Sequence, residues 1–298
     1  MKIIDTTSEL FNVYTDGNFD LSKWRVYINS LYPGIDQLFI DIMHKCIDTK
    51  VVSYEDNYLP VLNNVLKKDE LRKLAVESFK TATAELDQKI QKQFGRALDV
   101  EIVLYLGLCK SAGWATKIND KSVILLGIEK IIELNWCDSA SMYGLIYHEL
   151  GHIYQEQYGV LERTFKSNRE QYLWQLFTEG VAMYFEQVLI GDFDFYTQDK
   201  NEWKKWCDKN QAGIKKDFAS DLDEMTFENQ RYFGDWVNYH GYGDVGYYLG
   251  AKFVQYICMR YKFDDILLFD IDEVEELFGQ FLVEAEDENR SLSVCSHW

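Results

Sequence analysis

Two prolines, Pro33 and Pro60, are all that the chain carries in 298 residues. At a usual frequency near 5%, about fifteen would be expected. Proline lacks a backbone donor and breaks the interior of a helix, so its scarcity favours a mostly helical fold. With 47% hydrophobic and 27% charged residues, the composition is that of a globular chain of one large domain or two.

The net charge and the cysteines of the chain indicate which partners and which cellular compartment to expect. Acidic residues outnumber basic ones 49 to 31, a net charge of −18. Such a chain repels nucleic acids and anionic membranes, so we expect neither as a partner. The six cysteines form no CxxC pair, the N-terminus lacks a signal-peptide pattern, and no apolar run reaches the ~20 residues of a membrane span. These features predict a cytoplasmic protein, and the oligomeric state stays unknown.

Helical periodicity dominates the first third of the chain. In residues 35–49 and again in 69–94, apolar side chains recur at three- and four-residue intervals, which is typical of amphipathic helices. Gly95 follows the second stretch as a stop signal. We therefore predict a helical N-terminal region over residues 1–97.

A change of pattern after residue 98 indicates a small sheet. Residues 100–109 (VEIVLYLGLC) are short and apolar, as in a strand buried on both faces. Residues 114–118 and 122–128 are predicted to form two further strands around the polar Asn119-Asp120-Lys121. Together with the helices, they predict an α+β fold that is mostly helical.

Helices are predicted again from Ser139 onward. One runs to about residue 158, with Asp138 or Ser139 as its cap, and another runs from about residue 168 to 190. A glycine-rich segment, 240–250, precedes a further helix, and 271–286 is predicted to be the last one. The tail 287–298, with Cys295 and His297, is expected to be frayed. We therefore divide the chain into 1–97, a core over 98–190, and a helical C-terminal region over 191–298 that closes a cleft.

The most informative motif lies in the first of these later helices. His148-Glu149-Leu150-Gly151-His152 has the form H-E-x-x-H and uses two of the five histidines in the chain. Histidines at positions i and i+4 share one face of a helix, so both can bind one Zn²⁺. Glu149 lies beside the metal without being a ligand and can reach a metal-bound water as general base.

Catalytic zinc sites usually have three protein ligands and a water, so a third ligand is needed. Glu179, in the segment FTEGVA, is the best candidate, because 27 residues after His152 leave room for a loop and a returning helix. A carboxylate on such an apolar helix is costly unless it is paired or binds a cation. Glu170 and Glu186 are rival candidates for the third ligand.

HELGH followed by TEGVA resembles the gluzincin metallopeptidases, which carry H-E-x-x-H and a downstream glutamate. The closest likeness is to uncharacterised bacterial predicted zinc-dependent proteases, and it covers roughly residues 98–190. The resemblance implies a zincin-like fold, a Zn²⁺ cofactor, His148, His152 and Glu179 as ligands, and Glu149 as the base. It also implies that strand 122–128 lies along the cleft and binds extended peptide by strand addition.

The resemblance also implies candidates for two further roles, the donor that stabilises the oxyanion and the anchor of the substrate amine. A hydroxyl or imidazole opposite the metal would stabilise the oxyanion, and we favour Tyr247 in the segment GYYLG, with Tyr242 and His240 as alternatives. Gluzincin aminopeptidases carry a GxMEN-type element that anchors the free amine of the substrate. Here Gly127-Ile128-Glu129-Lys130 offers only Glu129, so the aminopeptidase subtype is not favoured.

The sequence thus predicts zinc-dependent hydrolysis of peptide bonds in a peptide or protein substrate. The alternative is a non-catalytic zinc-containing module that binds a peptide or a protein.

Overall fold

The computed structural model describes residues 1–48, 52–234 and 236–283 and shows an α+β fold that is mostly helical, as predicted. The chain divides into two compact units, Met1–Ile153 and Tyr154–Trp298. The division falls within one long helix, Ser139–Tyr158.

The first unit combines helices with a four-stranded sheet. Its strands are β1 (Lys2–Asp5), β2 (Tyr14–Thr15), β3 (Asn18–Phe19), β4 (Glu101–Tyr105), β5 (Gly113–Ile118) and β6 (Lys121–Gly127). Its helices are α1 (Leu21–Leu31), α2 (Asp36–Asp48), α3 (Leu59–Lys67), α4 (Asp69–Thr83), α5 (Leu86–Phe94), α6 (Ile128–Glu133) and the first part of α7 (Ser139–Tyr158). A 3-10 helix covers Thr7–Val13 and a π-helical turn covers Tyr54–Tyr58.

The sheet has the strand order β1-β4-β6-β5. Strands β1, β4 and β6 are parallel, whereas β5 is antiparallel to β6 and forms one edge. Asn119 and Asp120 connect β5 to β6 with φ angles of 52° and 60°, the left-handed conformation that a two-residue hairpin turn requires. Strands β2 and β3 form a separate two-stranded sheet.

The predicted helical N-terminal region, residues 1–97, also contains the short strands β1, β2 and β3. β1 pairs with β4 in parallel, and the N–H of Lys2 donates to the carbonyl of Val100 at 2.9 Å. The partner strand lies about a hundred residues away, so the local sequence of β1 gives no sign of the pairing. The helix predicted over 69–94 is also interrupted, because Glu85 takes a φ of +51° between α4 and α5.

The positions of the strands after residue 98 were predicted well, but the prediction that strand 122–128 binds a peptide at its edge is wrong. β6 is hydrogen-bonded to β4 on one side and to β5 on the other. The strand predicted at 122–128 therefore has no open edge to which a peptide could add. On that side of the sheet the outer strand is β5, and β1 is the outer strand on the opposite side.

The second unit is helical in its described part. It contains the last part of α7, then α8 (Asn168–Ile190), α9 (Trp203–Asp221), α10 (Val245–Cys258), α11 (Phe263–Ile266) and α12 (Ile271–Val283). α8 and α10 cross at two glycines: a Cβ on Gly180 would overlap the carbonyl oxygen of Gly250, and a Cβ on Gly250 would lie 2.7 Å from the carbonyl oxygen of Leu176. Only glycine permits this backbone approach.

Within the described residues, no helix is long and apolar enough to cross a membrane. Among the described residues, Cys46, Cys109, Cys137, Cys207 and Cys258 form no disulfide with one another. The end of the predicted last helix (284–286) and the tail 287–298, with Cys295 and His297, lie outside the described residues.

Candidate metal centre

The helix that carries the H-E-x-x-H motif is held in place along its length. Asp138 caps α7, since its Oδ1 accepts the N–H of Ser141 at 3.0 Å. Five apolar or aromatic side chains of α7 are almost fully buried: Ile146, Tyr147, Leu150, Ile153 and Tyr154. A helix buried in this way holds the motif in a fixed orientation.

The two histidines lie side by side on α7. The ring centroids of His148 and His152 are 4.9 Å apart, with the rings nearly perpendicular, and both side chains are half-buried. This arrangement follows from the four-residue spacing, which brings side chains onto one face of a helix.

Glu179 supplies the third group. It lies in the middle of α8, which begins at a capping residue, Ser167, and ends at Gly191 in the left-handed conformation. One ligand atom each from His148, His152 and Glu179 lie within 4.8 Å of one another. Two imidazoles and a carboxylate are a donor set found in catalytic zinc sites, so these residues fit a metal ion.

The rival glutamates have other contacts. Glu170 belongs to the N-terminal cap of α8: its carboxylate accepts the N–H of Lys166 at 2.8 Å, and its own N–H donates to the Ser167 hydroxyl at 3.2 Å. Glu186 is 1% exposed and accepts the hydroxyl of Thr197 at 3.0 Å. Neither joins the cluster formed by the described side chains.

Glu149 lies against the outer strand of the sheet. Its Oε2 accepts the N–H of Ala115 in β5 at 2.8 Å, and its side chain is nearly buried. A Cβ on Gly113 would lie 2.5 Å from Glu149 Oε1 and 2.8 Å from its Cγ. The glycine at the start of β5 thus leaves the space that the carboxylate occupies, and the Ala115 N–H fixes its orientation.

The three candidates for an oxyanion donor differ in their surroundings. Tyr247 lies in the first turn of α10, half-buried and edge-on to Phe233. Tyr242 stacks on Trp206 at 4.3 Å. His240 is 62% exposed and lies 4.0 Å from a carboxylate oxygen of Asp217.

Glu129 is not placed to bind the amine of a substrate. It is 1% exposed, and its carboxylate accepts the backbone N–H groups of Gly107 at 2.9 Å and Cys109 at 3.1 Å. Burial raises the pKa of Glu129 to about 7, although these hydrogen bonds oppose the shift. The carboxylate therefore holds the loop between β4 and β5, and a role as amine anchor is excluded.

Sequence reasoning missed two residues that position Glu149. The N–H of Ala115 gives no sequence signal, because nearly every residue carries one. Gly113 lies just before the strand predicted over 114–118, and a glycine at a strand end can mark the close approach of another group.

No protein-family model, curated protein or solved structure matches the chain.

Proposed function

We propose that the chain is a zinc-dependent peptidase with a zincin-like fold, in which His148, His152 and Glu179 bind the metal. The observation that carries the proposal is the convergence of these three ligand atoms within 4.8 Å. It joins a motif expected from the sequence to a carboxylate on a different helix. Zn²⁺ at such a site makes bound water more acidic and polarises a carbonyl oxygen.

Glu149 acts as the general base in this proposal. It takes a proton from the attacking water and passes it to the nitrogen of the leaving amine. The Ala115 N–H, 2.8 Å from Oε2, keeps the carboxylate in one orientation while it does so. The approach of Gly113 to the side chain supports the same positioning.

In this proposal, an extended peptide substrate binds along the outer strand β5. A two-residue turn makes Ile118 and Lys121 a hydrogen-bonded pair, so bonds to β6 recur at alternate residues of β5. The backbone groups of Ala115 then face away from β6, which agrees with the N–H that it donates to Glu149. An extended peptide that adds to this edge would pass beside Glu149.

Tyr247 remains our choice for the oxyanion donor. It lies one helical turn before Gly250, whose backbone touches that of Gly180, the neighbour of Glu179. Tyr242 and His240 lie further from this crossing in sequence and pack instead around Trp206 and Asp217. A phenol hydroxyl there would donate to the oxygen on which charge develops.

The test is Glu149→Gln, with Glu162→Gln on an exposed position as the matched control. Removing a general base should lower hydrolysis of denatured casein and of a peptide library by about 10²-fold or more. Metal content by elemental analysis should stay at that of the wild type, since Glu149 is not a ligand. A Glu149→Gln protein that cleaves as fast as the wild type would refute the mechanism. Stoichiometric metal without hydrolysis by the wild type would favour the non-catalytic binding module.

A further inference from the structure

Lys110 has an unusual environment for a lysine in an acidic chain. It is half-buried in the loop between β4 and β5, and its Nζ lies 3.3 Å from the centroid of the Trp114 ring. Although acidic residues outnumber basic ones 49 to 31, its ammonium forms no salt bridge with any residue in the described part of the chain. A partly desolvated cation without a paired carboxylate is costly to maintain.

Among the residues that the structure describes, the charge that acts most clearly on Lys110 is that of Glu149. Burial lowers the pKa of Lys110 to about 8, and the carboxylate of Glu149 works against that shift. The ammonium therefore lies within the electrostatic reach of the proposed general base.

The loop that carries Lys110 is fixed by its own contacts. Cys109 takes a left-handed φ of +54°, which is uncommon for a residue with a side chain, and its N–H is held by the carboxylate of Glu129. Strained backbone of this kind persists only where the surrounding structure imposes it. The buried Glu129 thus sets the path of the chain immediately before Lys110.

Trp114 is fixed as well. It lies in the outer strand β5, and its ring packs edge-on against Phe39 at 5.8 Å. The indole face lies under the Lys110 ammonium, so the cation is placed by aromatic contact. At this distance at least one N–H of the ammonium points at the ring, and the N–H groups that point away from it can donate to an anionic ligand.

We propose that Lys110 and Trp114 form a subsite that binds a carboxylate of the substrate beside Glu149. The inference rests on the proposed function, since it takes the peptide to lie along β5. Two sources share this chemistry: the side chain of an aspartate or glutamate, and the C-terminal carboxylate of the peptide. The first describes an enzyme that cleaves next to acidic residues, and the second describes a carboxypeptidase.

The experiment uses four matched peptide libraries, with Glu or Gln at one scanned position and with a carboxylate or an amide at the C-terminus. Cleavage by the wild type is followed by mass spectrometry. Binding of the same libraries, labelled with a fluorophore, is followed by anisotropy in the zinc-loaded Glu149→Gln protein. Lys110→Met removes the charge in both backgrounds, Lys110→Arg keeps it, and Lys80→Met, on the exposed face of α4, is the control.

We expect carboxylate-bearing peptides to be cleaved and bound about tenfold better than their amide counterparts, as for a hydrogen bond to a charged group. Lys110→Met should abolish this preference, Lys110→Arg should keep much of it, and Lys80→Met should change nothing. Loss on C-terminal amidation identifies a carboxypeptidase, and loss on replacing Glu by Gln identifies acidic side chains. Thermal unfolding shows whether Lys110→Met is folded. If Lys110→Met is not folded, Lys110→Gln, which also removes the charge, is compared with the wild type instead.

The proposal is overturned if the wild type shows no preference for a carboxylate, or if Lys110→Met retains it. Selective binding without any hydrolysis would instead refute the peptidase and leave the subsite standing. Hydrolysis without selectivity would refute the subsite and leave the peptidase. The absence of both binding and hydrolysis would contradict both proposals.

Discussion

Gly113 is the residue whose substitution tests the placement of Glu149 most directly. A Cβ at this position would meet Glu149 Oε1 at 2.5 Å and Leu145 Cδ1 at 2.9 Å. We expect Gly113→Ala to push the carboxylate away from the Ala115 N–H and to destabilise the fold by about 1–3 kcal/mol, as overpacking does. Hydrolysis should fall while metal content is maintained, because none of the three proposed ligands is touched.

The control for this prediction is Gly279→Ala. Gly279 lies within α12 and has no heavy atom within 4 Å of an added Cβ. Alanine there should stabilise the helix by about 0.5–1 kcal/mol. Both variants are compared by thermal unfolding and by peptide hydrolysis. Equal activity in Gly113→Ala and the wild type would mean that Glu149 needs no fixed position against β5.

Glu129 should make the stability of the chain depend on pH. Burial raises its folded-state pKa to about 7 from 4.5, so between these values the folded state binds more protons than the unfolded state. The free energy of unfolding should therefore fall as the pH rises from about 4.5 to about 7, by up to a few kcal/mol from this group, and then level off.

Glu129→Gln removes the titrating group with little change in shape. The difference between the unfolding free energies of the wild type and Glu129→Gln, measured by urea denaturation from pH 5 to pH 8, should change across this window. The unfolding free energy of the wild type should fall relative to that of Glu129→Gln as the pH rises. A difference that is the same at every pH would show that Glu129 does not titrate in this range.

At the residue scale, the predictable part of the site is the part set by spacing. His148, Glu149 and His152 lie within one turn and a half of a helix, so their sequence order alone determines their relative positions. Glu179 could be selected only as an unusual carboxylate on an apolar helix. The Ala115 N–H and the cation of Lys110 come from a strand edge and a strained loop, whose places depend on the whole sheet.

At the scale of elements, helices were predicted better than strand roles. α7 begins after its predicted cap, Asp138, and α7 and α8 end at the predicted residues, about 158 and 190. The role of peptide-binding edge strand was predicted for β6, but β5 is the strand at the edge. All of β6 after Lys121 is buried, which is typical of an interior strand, whereas most of β5 is only half-buried. The peptide-binding role of residues 122–128 was predicted from the resemblance to the gluzincins, although their apolar sequence is typical of an interior strand. β1 could not be predicted, because its pairing partner is far away in the chain.

The crossing of α8 and α10 gives the prediction that belongs to this scale. A Cβ on Gly180 would overlap the carbonyl oxygen of Gly250, so Gly180→Ala must push the two helices apart. We expect a loss of about 1–3 kcal/mol in the free energy of unfolding. Zinc affinity should fall too, since Glu179 is the adjacent residue.

Gly213→Ala is the matched helical control, because an added Cβ at Gly213, in α9, meets nothing within 4 Å. It should be neutral or slightly stabilising, with unchanged zinc affinity by competition with a chromophoric chelator. If Gly180→Ala binds zinc as tightly as Gly213→Ala, the helix crossing does not position Glu179.

At the scale of the whole molecule, the coarse fold class could be predicted from the sequence. Scarce proline and two kinds of hydrophobic periodicity suffice for an α+β chain rich in helix. The division at Ile153 and Tyr154 falls inside α7, where the helix continues and no change of composition marks a boundary. A domain boundary set by tertiary packing alone leaves no trace in a linker.

Metal binding should stabilise the chain as a whole, because the three proposed ligands come together only in the folded state. At a free zinc concentration of about 1,000 times Kd, the gain is about 4 kcal/mol, and the midpoint of thermal unfolding should rise by several degrees over the chelator-treated protein. Glu179→Gln should remove most of this rise. Glu170→Gln should keep it, because a glutamine side chain can still act in the cap of α8 and Glu170 is not in the cluster. The reverse result, with the rise lost in Glu170→Gln and kept in Glu179→Gln, would assign the third ligand to the rival glutamate and refute the centre proposed here.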